Sequence, residues 1–142
     1  MASPRPEDVA SLLRASARDG VWLPVDGGSM FPTISAGSEV LVESRDRRPR
    51  IAEIWAFCDA NGLIVVHRYR RRDTTGRFVF RGDNVVRADE AVDPERLIGV
   101  VRQVRRDRAE RGFGLRERLR WLAGRARTRT RAHIPGSGPA RP

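Results

Sequence analysis

One serine stands out by its setting. Ser29 lies in the run Val-Asp-Gly-Gly-Ser-Met-Phe-Pro-Thr, residues 25–33, behind two glycines and ahead of Pro32. The glycines allow close approach and the proline fixes a bend, so the hydroxyl is presented on a turn. A serine attacks a carbonyl only when a neighbouring base takes its proton, and a carboxylate often holds that base in place. All 28 basic residues are Arg, so a lysine base is excluded. Of the two histidines, His133 falls in an Arg-, Pro- and Gly-rich end, whereas His67 sits in Leu-Ile-Val-Val-His-Arg-Tyr, residues 63–69. At the two-residue period of a strand, His67 shares a face with Val65 and Tyr69, while Val66 and Arg68 point the other way. A half-buried histidine there is a suitable proton acceptor. Two carboxylates could orient it: Asp83, in a Gly-Asp-Asn turn, and Asp89, six residues on. Spacing does not choose between them. The chemistry these types can do together is acyl transfer.

Residues so far apart in the chain meet only if several strands return past one another. Residues 6–19 read as a helix, with Val9, Leu12 and Leu13, joined by Ala10 and Ala17, on its apolar face, Glu7 and Asp8 in its first turn, and Gly20 closing it. Strands are expected at 21–25, 39–43, 51–58, 62–69, 77–80 and 96–104. Asp-Ala-Asn-Gly between the third and fourth marks a hairpin. The fold class is therefore mostly β, a small sheet or barrel-like core with a short N-terminal helix and a basic C-terminal helix. Cys58 is the only cysteine, which excludes an intrachain disulfide and a cysteine-based metal site. In its apolar segment it reads as a buried structural thiol. Met30 and Phe31 suit either a substrate pocket or the core. Trp22, Trp55 and Trp121 read as packing residues, with Trp121 also suited to an interface.

Gly-Gly-Ser-Met-Phe-Pro-Thr, then a strand, then Val-Val-His-Arg-Tyr, then Phe-Arg-Gly-Asp-Asn followed by Asp89, together resemble the type I signal peptidases. These belong to a superfamily of serine peptidases that includes the self-cleaving repressors of the SOS response. The resemblance covers residues 20–104, and Pro-Thr after Ser-Met favours the signal peptidase branch. The His67-Arg68 pair resembles the branch that uses a Ser–His dyad. The resemblance implies a signal-peptidase-like β domain with Ser29 as nucleophile, His67 as general base and Asp83 and Asp89 as the two acids. It implies no metal or cofactor. The substrate would be a polypeptide precursor with small residues ahead of the cleaved bond, bound extended near Val25 and Met30 or along the strand of His67. Gly27 stands where family members carry a serine whose hydroxyl assists the oxyanion, which leaves the oxyanion hole either poorer or filled by backbone N–H groups. Two other functions fit the same residues. One is a self-cleaving or repressor-cleaving regulatory peptidase, disfavoured because about 20 N-terminal residues are too few for a helix-turn-helix domain. The other is a catalytically degenerate module that binds peptide.

Charge divides the chain. Residues 1–101 hold 15 Arg against 15 acids, whereas residues 102–142 hold 13 Arg against Asp107, Glu110 and Glu117 and carry the whole net charge of +10. The expected organisation is an N-terminal helix over 1–20, a catalytic domain over 21–105 and an Arg-rich tail over 106–142. In the tail, Leu115, Leu119, Leu122 and Ala126 fall at helical spacing among arginines, and the Pro/Gly-rich end is expected to be disordered. Three roles fit the tail: a solvated segment, peripheral docking to anionic lipid, or nucleic-acid binding. The last is disfavoured, since no recognition motif is present and aromatics to stack on bases are few. The N-terminus shows no secretory pattern and no apolar run approaches the ~20 residues that span a bilayer. The expected location is cytoplasmic, with peripheral membrane attachment through the tail.

Overall fold

A computed structural model of the chain describes residues 2–107 and 109–131; His133 and the Pro/Gly-rich end lie outside the described residues. The first element is α1 (Pro6–Ser16), which continues as a 3-10 turn at Ala17–Asp19. Proline at its start and acids in its first turn suit the free N–H groups there. Gly20, at φ 87°, turns the chain out of it. Ala10 and Ala17 are buried, with Val9 and Leu13 packed beside them, but Leu12 points to solvent rather than joining the apolar face.

Seven strands follow: β1 (Val21–Pro24), β2 (Glu39–Glu43), β3 (Ile54–Cys58), β4 (Ile64–Arg72), β5 (Phe78–Arg81), β6 (Leu97–Arg106) and β7 (Ala109–Gly112). They form one antiparallel sheet in the order β1-β2-β6-β3-β4-β5, with β7 paired to β6 off that path. The sheet is open, not closed into a barrel. The last element among the described residues is α2 (Leu115–Arg131). No helix among the described residues is long and apolar enough to cross a membrane.

The sheet has a core on each face, and β3 serves both. Ile54, Ala56 and Cys58 join Met30, Ile34, Val40, Val42 and α1 on one side. Trp55 and Phe57 join Tyr69, Phe78, Phe80 and Val92 on the other. All five β3 residues are therefore buried, which is why the segment reads as an unbroken apolar run. Phe57 stacks on Phe80 with ring centroids 4.6 Å apart, a pairing worth about 0.5–1.5 kcal/mol beyond its buried area.

The structure departs from the sequence pattern at β3, β4 and β7; β4 runs from Ile64 to Arg72 where 62–69 was expected. β3 begins at Ile54 and not at residue 51, because 51–53 turn, with Ala52 at φ 69°. That turn is held by the Glu53 carboxylate, which accepts from Arg47 at 2.9 and 2.8 Å, from the Arg50 N–H at 2.6 Å and from Trp55 at 3.3 Å. β7 was not expected, since Ala-Glu-Arg-Gly has no apolar alternation. It forms because Asp107, at φ 57°, reverses the chain onto β6.

Candidate active site

Ser29 and His67 meet where the segment after β1 crosses β4. The Ser29 Oγ lies 2.9 Å from His67 Nε2, and His67 Nδ1 lies 2.5 Å from Asp89 Oδ2. An ionised carboxylate can only accept, so Nδ1 carries the proton toward Asp89 and Nε2 is left to accept from the Ser29 hydroxyl. The imidazole side chain is 10% exposed and stands edge-on to Phe57 at 6.4 Å. The two-residue alternation of β4 puts His67 on the Tyr69 face and Arg68 on the opposite one, as its sequence pattern predicts.

Local structure fixes each member. Met30 and Ile34 are buried pegs on either side of the bend, and the Ile34 N–H donates to the Met30 carbonyl at 2.9 Å. The turn after β5 then grips the serine segment. The Asn84 N–H donates to the Ser29 carbonyl at 2.8 Å, its side-chain amide donates to the Gly28 carbonyl at 3.1 Å, and the Asp83 N–H points at the Met30 sulfur at 3.4 Å. Gly82 sits between Ser29 and His67: a Cβ there would lie 2.6 Å from the Ser29 carbonyl oxygen and 3.0 Å from His67 Nε2. Asp89 is held from its own backbone, whose N–H donates to the Phe80 carbonyl at 2.9 Å.

The expected residues part company at Asp83. It does not touch His67. Its carboxylate takes two hydrogen bonds from Arg68, at 2.9 and 2.7 Å, and one from the Thr33 hydroxyl at 2.6 Å. Arg68 is fully buried, and Glu117 of α2 closes it from the other side at 2.9 and 3.1 Å. Burial alone would depress the guanidinium pKa, but the hydrogen bonds it donates to the two carboxylates outweigh it and raise the value. Asp83 therefore acts on the site through Arg68 and Thr33, while Asp89 alone faces the imidazole.

Neither residue expected to bind substrate is placed to do so. Met30 is wholly buried in the core. Val25 is buried too, and both its backbone groups are engaged, its N–H with the Ser38 carbonyl and its carbonyl with the Gly37 N–H, each at 2.8 Å. The other expected route remains open. β5 pairs with β4 only from Arg68 onward, so among the described residues no strand covers that edge of β4 over residues 64–67. A cleft of about 340 Å³ lies beside it, lined by Phe57, Val65, His67, Asp89 and Arg96 among others. No hydrogen bond among the described residues engages the Ser29 N–H.

Sequence reasoning passed over Gly82, Asn84, Thr33 and Glu117. The first two had a signal, since they flank Asp83 in the same turn. Glu117 had only the weak one of being a lone acid in an arginine-rich helix. Among the described residues no cluster of His, Cys, Asp and Glu is arranged to hold a metal ion. No protein-family model matches the chain, and a search of curated proteins finds no match.

Proposed function

We propose that this chain is a serine endopeptidase of the signal-peptidase type, in which Ser29, His67 and Asp89 carry out acyl transfer on a polypeptide. The single observation that supports this most is the continuous hydrogen-bonded path from Ser29 Oγ through both imidazole nitrogens to the Asp89 carboxylate. An extended substrate adds to the open edge of β4 beside His67. Ser29 Oγ attacks the substrate carbonyl carbon while Nε2 takes the hydroxyl proton, and Asp89 steadies the imidazolium that forms. The Ser29 N–H supplies an oxyanion donor, a contribution of about 3–4 kcal/mol to the barrier. The imidazolium returns its proton to the departing amine, breaking the peptide bond and leaving an acyl-serine. Water, deprotonated by His67, then releases the acid.

Covalent labelling tests this reading. Wild type, Ser29→Ala and His67→Ala are incubated with a fluorophosphonate, and intact masses are read. A single adduct in wild type that both variants lose is expected. A folded wild type that takes no adduct with fluorophosphonate or penem, at neutral and mildly alkaline pH, would reject an activated Ser29 and favour the peptide-binding module.

A further inference from the structure

A helix lying on a domain normally buries its leucines and shows its charges to water. α2 does the reverse. Its polar and aromatic side faces the domain: Glu117 clasps Arg68, Arg118 donates to the Ile51 carbonyl at 2.8 Å, and the Trp121 ring lies 4.7 Å from the Arg68 guanidinium and 5.0 Å from that of Arg70. Arg125 also packs against Trp121, at 5.2 Å. Residues advance by about 100° each around a helix, which sends Leu115, Leu119 and Leu122 to the far side. They are 64%, 55% and 37% exposed. Arg116 and Arg120, both exposed, border this stripe on one flank.

We propose that the outward face of α2 binds an anionic lipid bilayer, with the helix lying in the plane of the headgroups and clasped to the domain by Glu117 and Trp121. An exposed apolar stripe bordered by arginine is the pattern of an interfacial helix: the leucines enter the acyl boundary and the Arg116 and Arg120 guanidinium groups reach lipid phosphates. Charge favours this occupant over a second copy of the chain. Two such faces packed together would bring Arg116 and Arg120 of one against those of the other, and three leucines offer far less than the ~800 Å² per partner of a stable interface. The domain body is neutral, so attraction to the surface comes from this end of the chain. The inference stands apart from the chemistry of Ser29.

The test is vesicle co-sedimentation of the full chain, using phosphatidylcholine alone and phosphatidylcholine with about 30 mol% phosphatidylglycerol. Binding to the anionic vesicles is expected, with little to the neutral ones. A Leu115→Ser, Leu119→Ser, Leu122→Ser variant is expected to lose about tenfold or more in partitioning. Because the leucines are exposed, the variant should melt like wild type. Equal binding by the variant would overturn the proposal, since charge alone would then account for it. So would a wild type that stays in the supernatant with both kinds of vesicle, whether light scattering then shows a leucine-dependent dimer or the chain binds a short DNA duplex instead.

Discussion

Gly82 is the position where a single methyl group should do most to the site. A Cβ there falls 2.6 Å from the Ser29 carbonyl oxygen, 2.9 Å from Val85 Cγ2 and 3.0 Å from His67 Nε2. Ordinary van der Waals contact begins at about 3.4 Å, so in Gly82→Ala the Ser29 carbonyl must retreat by about 0.8 Å and the ring nitrogen by about 0.4 Å. The carbonyl is not free to yield, because it accepts from the Asn84 N–H at 2.8 Å. Overpacking of this kind costs about 1–3 kcal/mol in stability. The larger effect is on geometry, since displacing a nucleophile by the better part of an ångström lowers its reaction rate by about 10²-fold. Fluorophosphonate labelling rates, read by intact mass and paired with thermal melts, measure both. Gly28→Ala is the control: a Cβ at Gly28 meets nothing within 4 Å, so its labelling should stay within a few-fold of wild type. Gly82→Ala labelling at the wild-type rate, or Gly28→Ala losing as much as Gly82→Ala, would refute the steric reasoning.

Three further outcomes are expected. Asp89→Asn presents an amide to His67 Nδ1 and favours the tautomer that can no longer accept from Ser29, so labelling should fall by about 10³–10⁴-fold with the fold intact, while the same change at Asp83 should chiefly lower the melting temperature. Glu117→Ala leaves the buried Arg68 with one carboxylate in place of two, which should cost about 2–3 kcal/mol and lower the melt by several degrees; an unchanged melt would mean that the clasp contributes nothing. Burial pushes the Glu53 carboxyl up, but hydrogen bonds from Arg47, the Arg50 N–H and Trp55 outweigh it and hold the pKa below its usual value. Its contribution is thus full above the unfolded pKa of about 4.3 and lost as pH falls through the lower folded value. The stability gap between wild type and Glu53→Gln should therefore close in acid, and a gap that is constant with pH in urea melts would contradict this.

Local signals were legible wherever a short-range rule governs. Pro6, the early acids and Gly20 mark α1 because helix ends are set by nearby backbone groups. The alternation of β4 assigns His67 and Arg68 to opposite faces, because the pleat has a period of two. What escaped depends on distance in space. Nothing in the spacing of Asp83 and Asp89 reveals which reaches the imidazole. That is decided by β5 ending at Arg81, after which the turn carries Asp83 beneath Arg68 and the returning chain brings Asp89 back to Phe80. Met30 and Val25 read as substrate contacts because they lie near Ser29 in the chain, yet next to a half-buried residue on a tight bend is also where a chain enters its core. β7 has no pattern of its own and exists by pairing.

Arg68 gives the chain a different seam from the one its composition shows. Its guanidinium spends all its donors on Asp83, Glu117 and the Ala52 carbonyl, at 2.7–3.1 Å. By composition the first 101 residues are electrically self-sufficient and the rest is surplus. In space the interior borrows a counter-charge from residue 117, while Arg111 of β7 reaches back to the Thr33 carbonyl beside the serine bend. The unit that must fold together to hold Ser29 in place therefore extends well into the basic region. The arginine-rich end is, for two turns of helix, part of what props the site from behind through Arg68 rather than an appendage to it.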